Sequence, residues 1–207
     1  MVIPLLIAVT LHEVAHGYAA LKMGDPTAKL AGRLTLNPIK HIDPFGSVVL
    51  PLLLKLSGSS FIFGYAKPVP VNFNRLTNYR KGTFFVASAG VFANALLAVI
   101  SSVVLKAVIY LHPAWQGSIL QTPVAFLYHM LIFSVVINCI LAIFNLIPIP
   151  PLDGSRLLAL VLPPAWQLSY ERFGRYGMVL LLLLLVTGSL GRLLDFFLTP
   201  LVNLLLN

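Results

Sequence analysis

The sequence predicts an all-α integral membrane protein, with about four transmembrane helices, a re-entrant segment and a small cytoplasmic-side β element. Three observations predict it. Apolar residues make up 58% of the 207-residue chain and charged residues only 10%, whereas roughly a quarter of an average soluble domain is charged. The apolar residues fall in runs of spanning length that recur to the last residue, unlike a signal peptide ahead of a soluble body. The charges collect between those runs, with 14 Lys and Arg against 6 Asp and Glu, the mark of loops retained in the cytoplasm. This composition excludes a disordered chain, a disulfide-stapled secreted domain and an ordinary soluble enzyme. A single cysteine, Cys139, cannot form an intrachain disulfide. No basic stretch is interleaved with exposed aromatics, so the net charge of +8 reads as membrane topology and not as nucleic-acid binding. The length suits one domain, residues 1–207, too short for an added soluble regulatory domain.

Crossing ~30 Å of hydrocarbon takes about 20 apolar residues. The first span is expected over 1–21, interrupted only by Thr10, His12, Glu13 and His16. Residues 29–73 are expected to form a membrane re-entrant and β region. Lys29 to Leu36 and Val69 to Phe73 are short β-like runs, bounded by turn signals such as Gly24-Asp25-Pro26 and Asn37-Pro38. Between them, Phe45 to Phe63 contains Pro51, Lys55 and the breaker run Ser57-Gly58-Ser59-Ser60. Its uninterrupted part, Phe45 to Leu54, has the length of a re-entrant or interfacial piece. Pro68 and Pro70 strip one edge of the later run of donors, while the N–H groups of Val69 and Val71 can still donate from the other, as in an edge strand. The second span is expected over 83–111, the third over 122–149 and the fourth over 174–198. Residues 191–207, with Arg192 and Asp195, suit either a span or the interface.

Charge sets the orientation. Lys22, Lys29, Arg33 and Lys40 precede the 45–63 stretch, and Lys67, Arg75, Arg80 and Lys81 follow it. A full crossing there would translocate one of these clusters, whereas a re-entrant turn keeps both inside. The expected topology is N-terminus out, 22–82 in, 112–121 out, 150–175 in and C-terminus out.

The strongest chemical signal is His12-Glu13-Val14-Ala15-His16. Positions i and i+4 share a helix face, so two imidazoles can hold one zinc ion while Glu13, beside them, takes the proton of the attacking water. An ionisable residue at the centre of a span costs about 2.5–3.5 kcal/mol on insertion scales, so three together need a joint reason. A polar cluster that joins helices, or a proton relay, is the plainer alternative. Catalytic zinc usually takes three protein ligands. Asp153, His129, Cys139 and Asp195 are the available donors within or at the ends of spans. Topology selects Asp153. His16 lies about 9 Å of helix rise from Lys22, and Asp153 closes the third span on the same side. Pro148, Pro150 and Pro151 open the helix end just before Asp153-Gly154, and irregular backbone at membrane depth is tolerated where it lines a cavity. An Asp capping the following helix is the plainer reading.

These motifs together resemble the site-2 protease family of intramembrane zinc metalloproteases, compact bacterial and archaeal type. The family's HExxH helix maps onto His12, Glu13 and His16, and its Asn-x-x-Pro-x-x-x-x-Asp-Gly segment onto Asn145, Pro148, Asp153 and Gly154. The likeness extends through Gly24-Asp25-Pro26, Gly32 to Pro38, His41-Ile42-Asp43-Pro44 and Gly64 to Val71. One departure is Val91, where the family often has proline in Ala-Gly-Pro, which should straighten the helix locally. The resemblance implies one zinc per chain, transmembrane protein substrates, a multi-pass protein of a prokaryotic cell membrane and an active site toward the cytoplasmic side. It also implies that Asn94 faces the active site and binds substrate backbone. The small residues Ala89 and Ala93 around it equally suit an interhelical hydrogen bond. Asn145, at the proline-opened helix end, could polarise the scissile carbonyl. Val69 and Val71 could pair with an unwound substrate by strand addition. The rival reading is a membrane protein of the same fold that binds zinc or partners without cleaving, and a pure structural site has no need of Glu13.

Overall fold

In a computed structural model of the chain, residues 2–56, 64–111, 117 and 119–207 are described, and among them every regular element is helical. The long helices are α1 (Val2–Lys22), α4 (Tyr79–Tyr110), α5 (Gln121–Leu146) and α9 (Ser189–Leu206), each long and apolar enough to cross a membrane. Between them lie α2 (Thr27–Leu30), α3 (Leu50–Leu56), α6 (Asp153–Val161), α7 (Pro164–Phe173) and α8 (Gly177–Val186). The centre of the molecule is α4, which packs against α1, α5, α6 and α9. It starts where the Asn78 side chain accepts the Lys81 N–H (2.9 Å) and runs unbroken through Val91. In α1, Pro4 sits in the first turn, where no intrahelical N–H is needed.

The fourth span is placed differently from the expectation of 174–198. The helix of spanning length there is α9, and the ambiguous residues from Gly191 onward are helical to Leu206. The apolar run before it is only the short α8, because the chain turns at Thr187–Gly188. Gly188 takes a left-handed conformation (φ 69°), and the Thr187 hydroxyl bonds back to the Leu184 carbonyl (3.1 Å). Leu181 of α8 and Leu190 of α9 then pack on Ile147 and Leu152, around the end of α5.

The predicted β element does not form among the described residues. Lys29 and Leu30 belong to α2, Phe73 begins a 3₁₀ turn, and the extended residues between Gly64 and Asn72 pair with no strand. The physical reason is competition for backbone donors. The Val69 N–H goes to Glu13 Oε2 (2.7 Å) and the Asn72 N–H to Asp25 Oδ2 (2.6 Å), while Arg33 Nη2 donates to the Lys67 carbonyl (2.8 Å). Side chains take the groups a ladder would use, and Pro68 and Pro70 supply no replacement donors.

The 44–56 segment is a π-helical turn (Pro44–Val49) running into α3, about 20 Å of helix and too short to cross. The rest of the expected re-entrant stretch, from Ser57 to Phe63, lies outside the described residues, as do Met1, His112 and Trp115. Where description resumes, the Tyr65 N–H donates to the Gly46 carbonyl (3.1 Å) and the Ser47 hydroxyl to the Tyr65 carbonyl (2.8 Å). The Lys67 N–H donates to the His41 carbonyl (3.0 Å). The excursion thus starts and finishes at one place.

Asp25, with 0% of its surface exposed, holds that place to the end of α1. Its carboxylate accepts from the Thr27 N–H (3.0 Å), the Thr27 hydroxyl and the Asn72 N–H. Burial pushes the carboxyl up, but these donors and the charge of Arg75 outweigh it and leave it below its ordinary value. A carboxyl depressed by folding adds stability that is complete above its unfolded pKa of about 3.9 and is lost as pH falls through the folded value. Asp25→Asn should therefore lower Tm in detergent at pH 6, and the gap to wild type should narrow toward pH 3. A gap that is constant with pH would contradict the assignment.

Candidate metal centre

His12 and His16 sit one turn apart on the buried face of α1, their ring centroids 4.6 Å apart. Each imidazole is oriented by its Nδ1. The Asn94 amide of α4 donates through Nδ2 to Asn138 Oδ1 (2.8 Å) and the Ala8 carbonyl (3.3 Å), so its Oδ1 faces His12 Nδ1 at 2.6 Å. His16 Nδ1 lies 2.7 Å from the Val86 carbonyl, which can only accept. Both Nδ1 atoms therefore carry the proton, and both Nε2 atoms present a lone pair.

The two Nε2 atoms lie 3.0 Å apart, and Asp153 Oδ2 completes the group at 3.3 Å from His12 and 3.2 Å from His16. Asp153 opens α6, immediately after the proline turn that follows α5. Gly154 permits this, because an added Cβ would strike the Leu146 carbonyl at the end of α5. Asp153 Oδ2 is buried and, among the described residues, has no hydrogen-bond partner. With both imidazoles neutral, three lone-pair donors converge here, an arrangement that a cation would satisfy. Two imidazoles and a carboxylate are the donor set zinc takes at catalytic sites. Among the described residues this is the one group of three His, Cys, Asp or Glu side chains placed to hold a metal. His129 and Asp195 take no part in it, and Cys139 packs with Ala98 and Val135.

Glu13 is half-buried beside the cluster, with Oε2 bonded to the Val69 N–H. That bond corrects one expectation, since the Val69 edge is engaged by α1 and not free for a partner strand. Asn94 is corrected too. It is 0% exposed and its amide groups are bonded to His12, Asn138 and Ala8, the interhelical hydrogen bonding that the small residues around it also suit. Asn145 is half-buried, with Nδ2 donating back to the Leu141 carbonyl (2.9 Å).

Two participants had no signal in the sequence reading. The Val86 carbonyl is a backbone group that any residue type could supply. Gly90 lies against both imidazoles. An added Cβ would fall 2.5 Å from His12 Cε1 and closer still to His16 Nε2. The small-residue run around Ala89 was the only available hint.

The Asn94 contact carries a prediction. Losing a partner that orients a metal ligand costs about 10–100-fold in metal affinity or activity. Asn94→Leu should lose zinc at that scale in a competition titration. Asn94→Asp keeps an acceptor toward His12 Nδ1 and should retain more zinc. Equal losses in both variants would show that Asn94 acts through packing alone.

A family model described as Peptidase family M50 matches residues 1–187. The chain is 38% identical over 203 residues to the "Putative zinc metalloprotease YwhC" of Bacillus subtilis, a match covering 98% of this chain and 85% of that protein. It is 32% identical over 192 residues to Rip2 of Mycolicibacterium smegmatis, which carries the same description, and 31% identical over 186 residues to Rip2 of Mycobacterium tuberculosis. Each Rip2 match covers 90% of this chain and 66% of the relative's length. No solved structure gives a significant match.

Proposed function

The chain belongs to peptidase family M50, the site-2 protease family, and is a zinc metalloprotease; from that premise we propose that it is an endopeptidase that hydrolyses peptide bonds in or near the transmembrane segments of membrane proteins. The observation that carries this reading is the depth of the cluster. His12 lies midway along the spanning helix α1, and its partner Asn94 lies midway along α4. A soluble loop cannot bring a peptide bond to that level without entering the bundle, whereas a membrane-embedded segment is already there.

His12, His16 and Asp153 would hold the zinc, which when bound supplies a Lewis acid and lowers the pKa of a bound water from about 15.7 to about 7. Glu13 acts as general base, taking a proton from the attacking water and returning it to the leaving nitrogen. The Val69 N–H holds the Glu13 carboxylate at one oxygen and leaves the other for that work. Asn145 has two amide hydrogens, and the one not engaged by the Leu141 carbonyl would polarise the scissile carbonyl. A helical substrate keeps its amides internally bonded and must unwind before it is cut. Val71, beside the tethered Val69, would offer its backbone to the unwound stretch. The basic residues of 22–81, with Arg156, Arg172 and Arg175, support an active site opening toward the cytoplasmic side of a prokaryotic cell membrane, with the 44–56 segment set in one leaflet.

The experiment compares one scissile sequence in two settings, inside a transmembrane segment in proteoliposomes and inside a soluble peptide, with products mapped by mass spectrometry. Cleavage of the embedded form is expected. Cleavage confined to the soluble form would overturn the reading while leaving a zinc protease.

A further inference from the structure

A cavity of about 300 Å³ opens between the first turns of α4, the Pro150–Pro151 turn, α6 and α7. Thr83 lines it. Its side chain is buried, with 3% of the residue exposed, and its hydroxyl has no hydrogen-bond partner among the described residues. Thr83 and Val86 are three apart on α4 and share a face, and the Val86 carbonyl orients His16. The opposite wall carries Ser155 and Arg156, the second and third residues after Asp153. Along α6 the lining is therefore about 3–4.5 Å of helix rise from Asp153. That rise is one or two residues of an extended peptide at about 3.3 Å per residue.

The cavity lining carries one cation, Arg156, and one acid, Glu171. The Arg156 guanidinium lies 4.1 Å from the centre of the Phe73 ring and, among the described residues, pairs with no carboxylate. Stacking fixes its plane and leaves its edge N–H groups available for a planar anion.

We propose that this cavity is a side-chain subsite of the peptidase that accepts an aspartate or glutamate of the substrate within about two residues of the scissile bond. The substrate carboxylate would take hydrogen bonds from the Arg156 guanidinium and the Thr83 hydroxyl, and Glu171 opposite would repel acids that enter off register. This assignment rests on the proposed cleavage of membrane-embedded segments. It supplies what a zinc, a base and an exposed backbone do not, namely selection among the many transmembrane segments that could reach the site.

The test separates recognition from cleavage. Glu13→Gln protein in uncharged detergent is titrated with transmembrane peptides carrying one Glu or Gln at successive positions around a fixed centre. At one position the Glu peptide should bind about tenfold more tightly than its Gln twin, the scale of a charge-assisted hydrogen bond. Adding Arg156→Gln should make the two peptides equal, and adding Thr83→Val should narrow the difference. Adding Glu171→Gln should spread the preference to neighbouring positions. No position with a charge preference, or a preference that survives Arg156→Gln, overturns the subsite. The same result follows if the Arg156 effect depends on anionic lipid and not on peptide charge, because the cavity would then hold a headgroup. Charge-selective binding with no cleavage by wild type would instead sink the proposed function and leave the subsite standing.

Discussion

Glu13→Gln protein will keep its zinc and lose about 10²–10⁴-fold in turnover, the range general-base catalysis supplies. The substitution is nearly isosteric, and a glutamine oxygen can still accept the Val69 N–H that now reaches Glu13 Oε2 at 2.7 Å. The three atoms of the cluster, His12 Nε2, His16 Nε2 and Asp153 Oδ2, belong to other side chains and keep their partners. Only the capacity to take a proton disappears. Zinc content by mass spectrometry and cleavage of a transmembrane reporter are measured on the same preparation. Wild-type turnover in the variant would remove Glu13 from the mechanism.

Gly90→Ala will do the reverse, stripping the metal with every ligand still present. The added methyl group would sit 2.5 Å from His12 Cε1 and 2.7 Å from His12 Nδ1, and nearer again to His16 Nε2. A long, flexible side chain could swing away from such a clash. These rings cannot, because Asn94 and the Val86 carbonyl hold their far nitrogens. One of three things must give: α4 moves off α1, the imidazoles rotate out of convergence, or His12 abandons Asn94. Each displaces a ligand atom by a fraction of an ångström or more, and a misplacement of about 1 Å can cost about 100-fold in rate. Zinc retained after dialysis should fall in step with activity, and added zinc should restore part of both. Full activity without excess zinc would mean that the interior is softer than its packing implies.

The site was legible where chemistry sits in side chains at fixed spacing. His12 and His16 stand four positions apart in the sequence, and Asp153, picked out there by the proline run before it, lies beside both in the structure. Illegible were the contacts made by groups every residue has. The Val86 carbonyl is one, and the absent side chain of Gly90 is another. The β-like runs misled for a related reason. Alternation in 69–73 was real, but a strand needs its amides, and here Glu13 and Asp25 had already taken those of Val69 and Asn72. The long apolar helices α1, α4 and α5 were readable from hydropathy, whereas the fourth was misplaced because one Thr-Gly pair at 187–188 outweighs the leucines on either side of it.

The polar path that begins at His12 does not stop at Asn94. It passes through Asn138 to Ser134 and on to Ser101 (2.7 Å between the two hydroxyls), stitching α1, α4 and α5 together across the apolar interior. Sliding any of these helices by one turn, about 5.4 Å, would orphan several buried groups at about 1–3 kcal/mol each. Those three helices are thus held in one register by buried polar bonds. In the proposed function, a segment arriving for scission would instead meet the 67–72 run, which is joined to α1 through the Val69 N–H on Glu13 and to the turn just beyond that helix through the Asn72 N–H on Asp25.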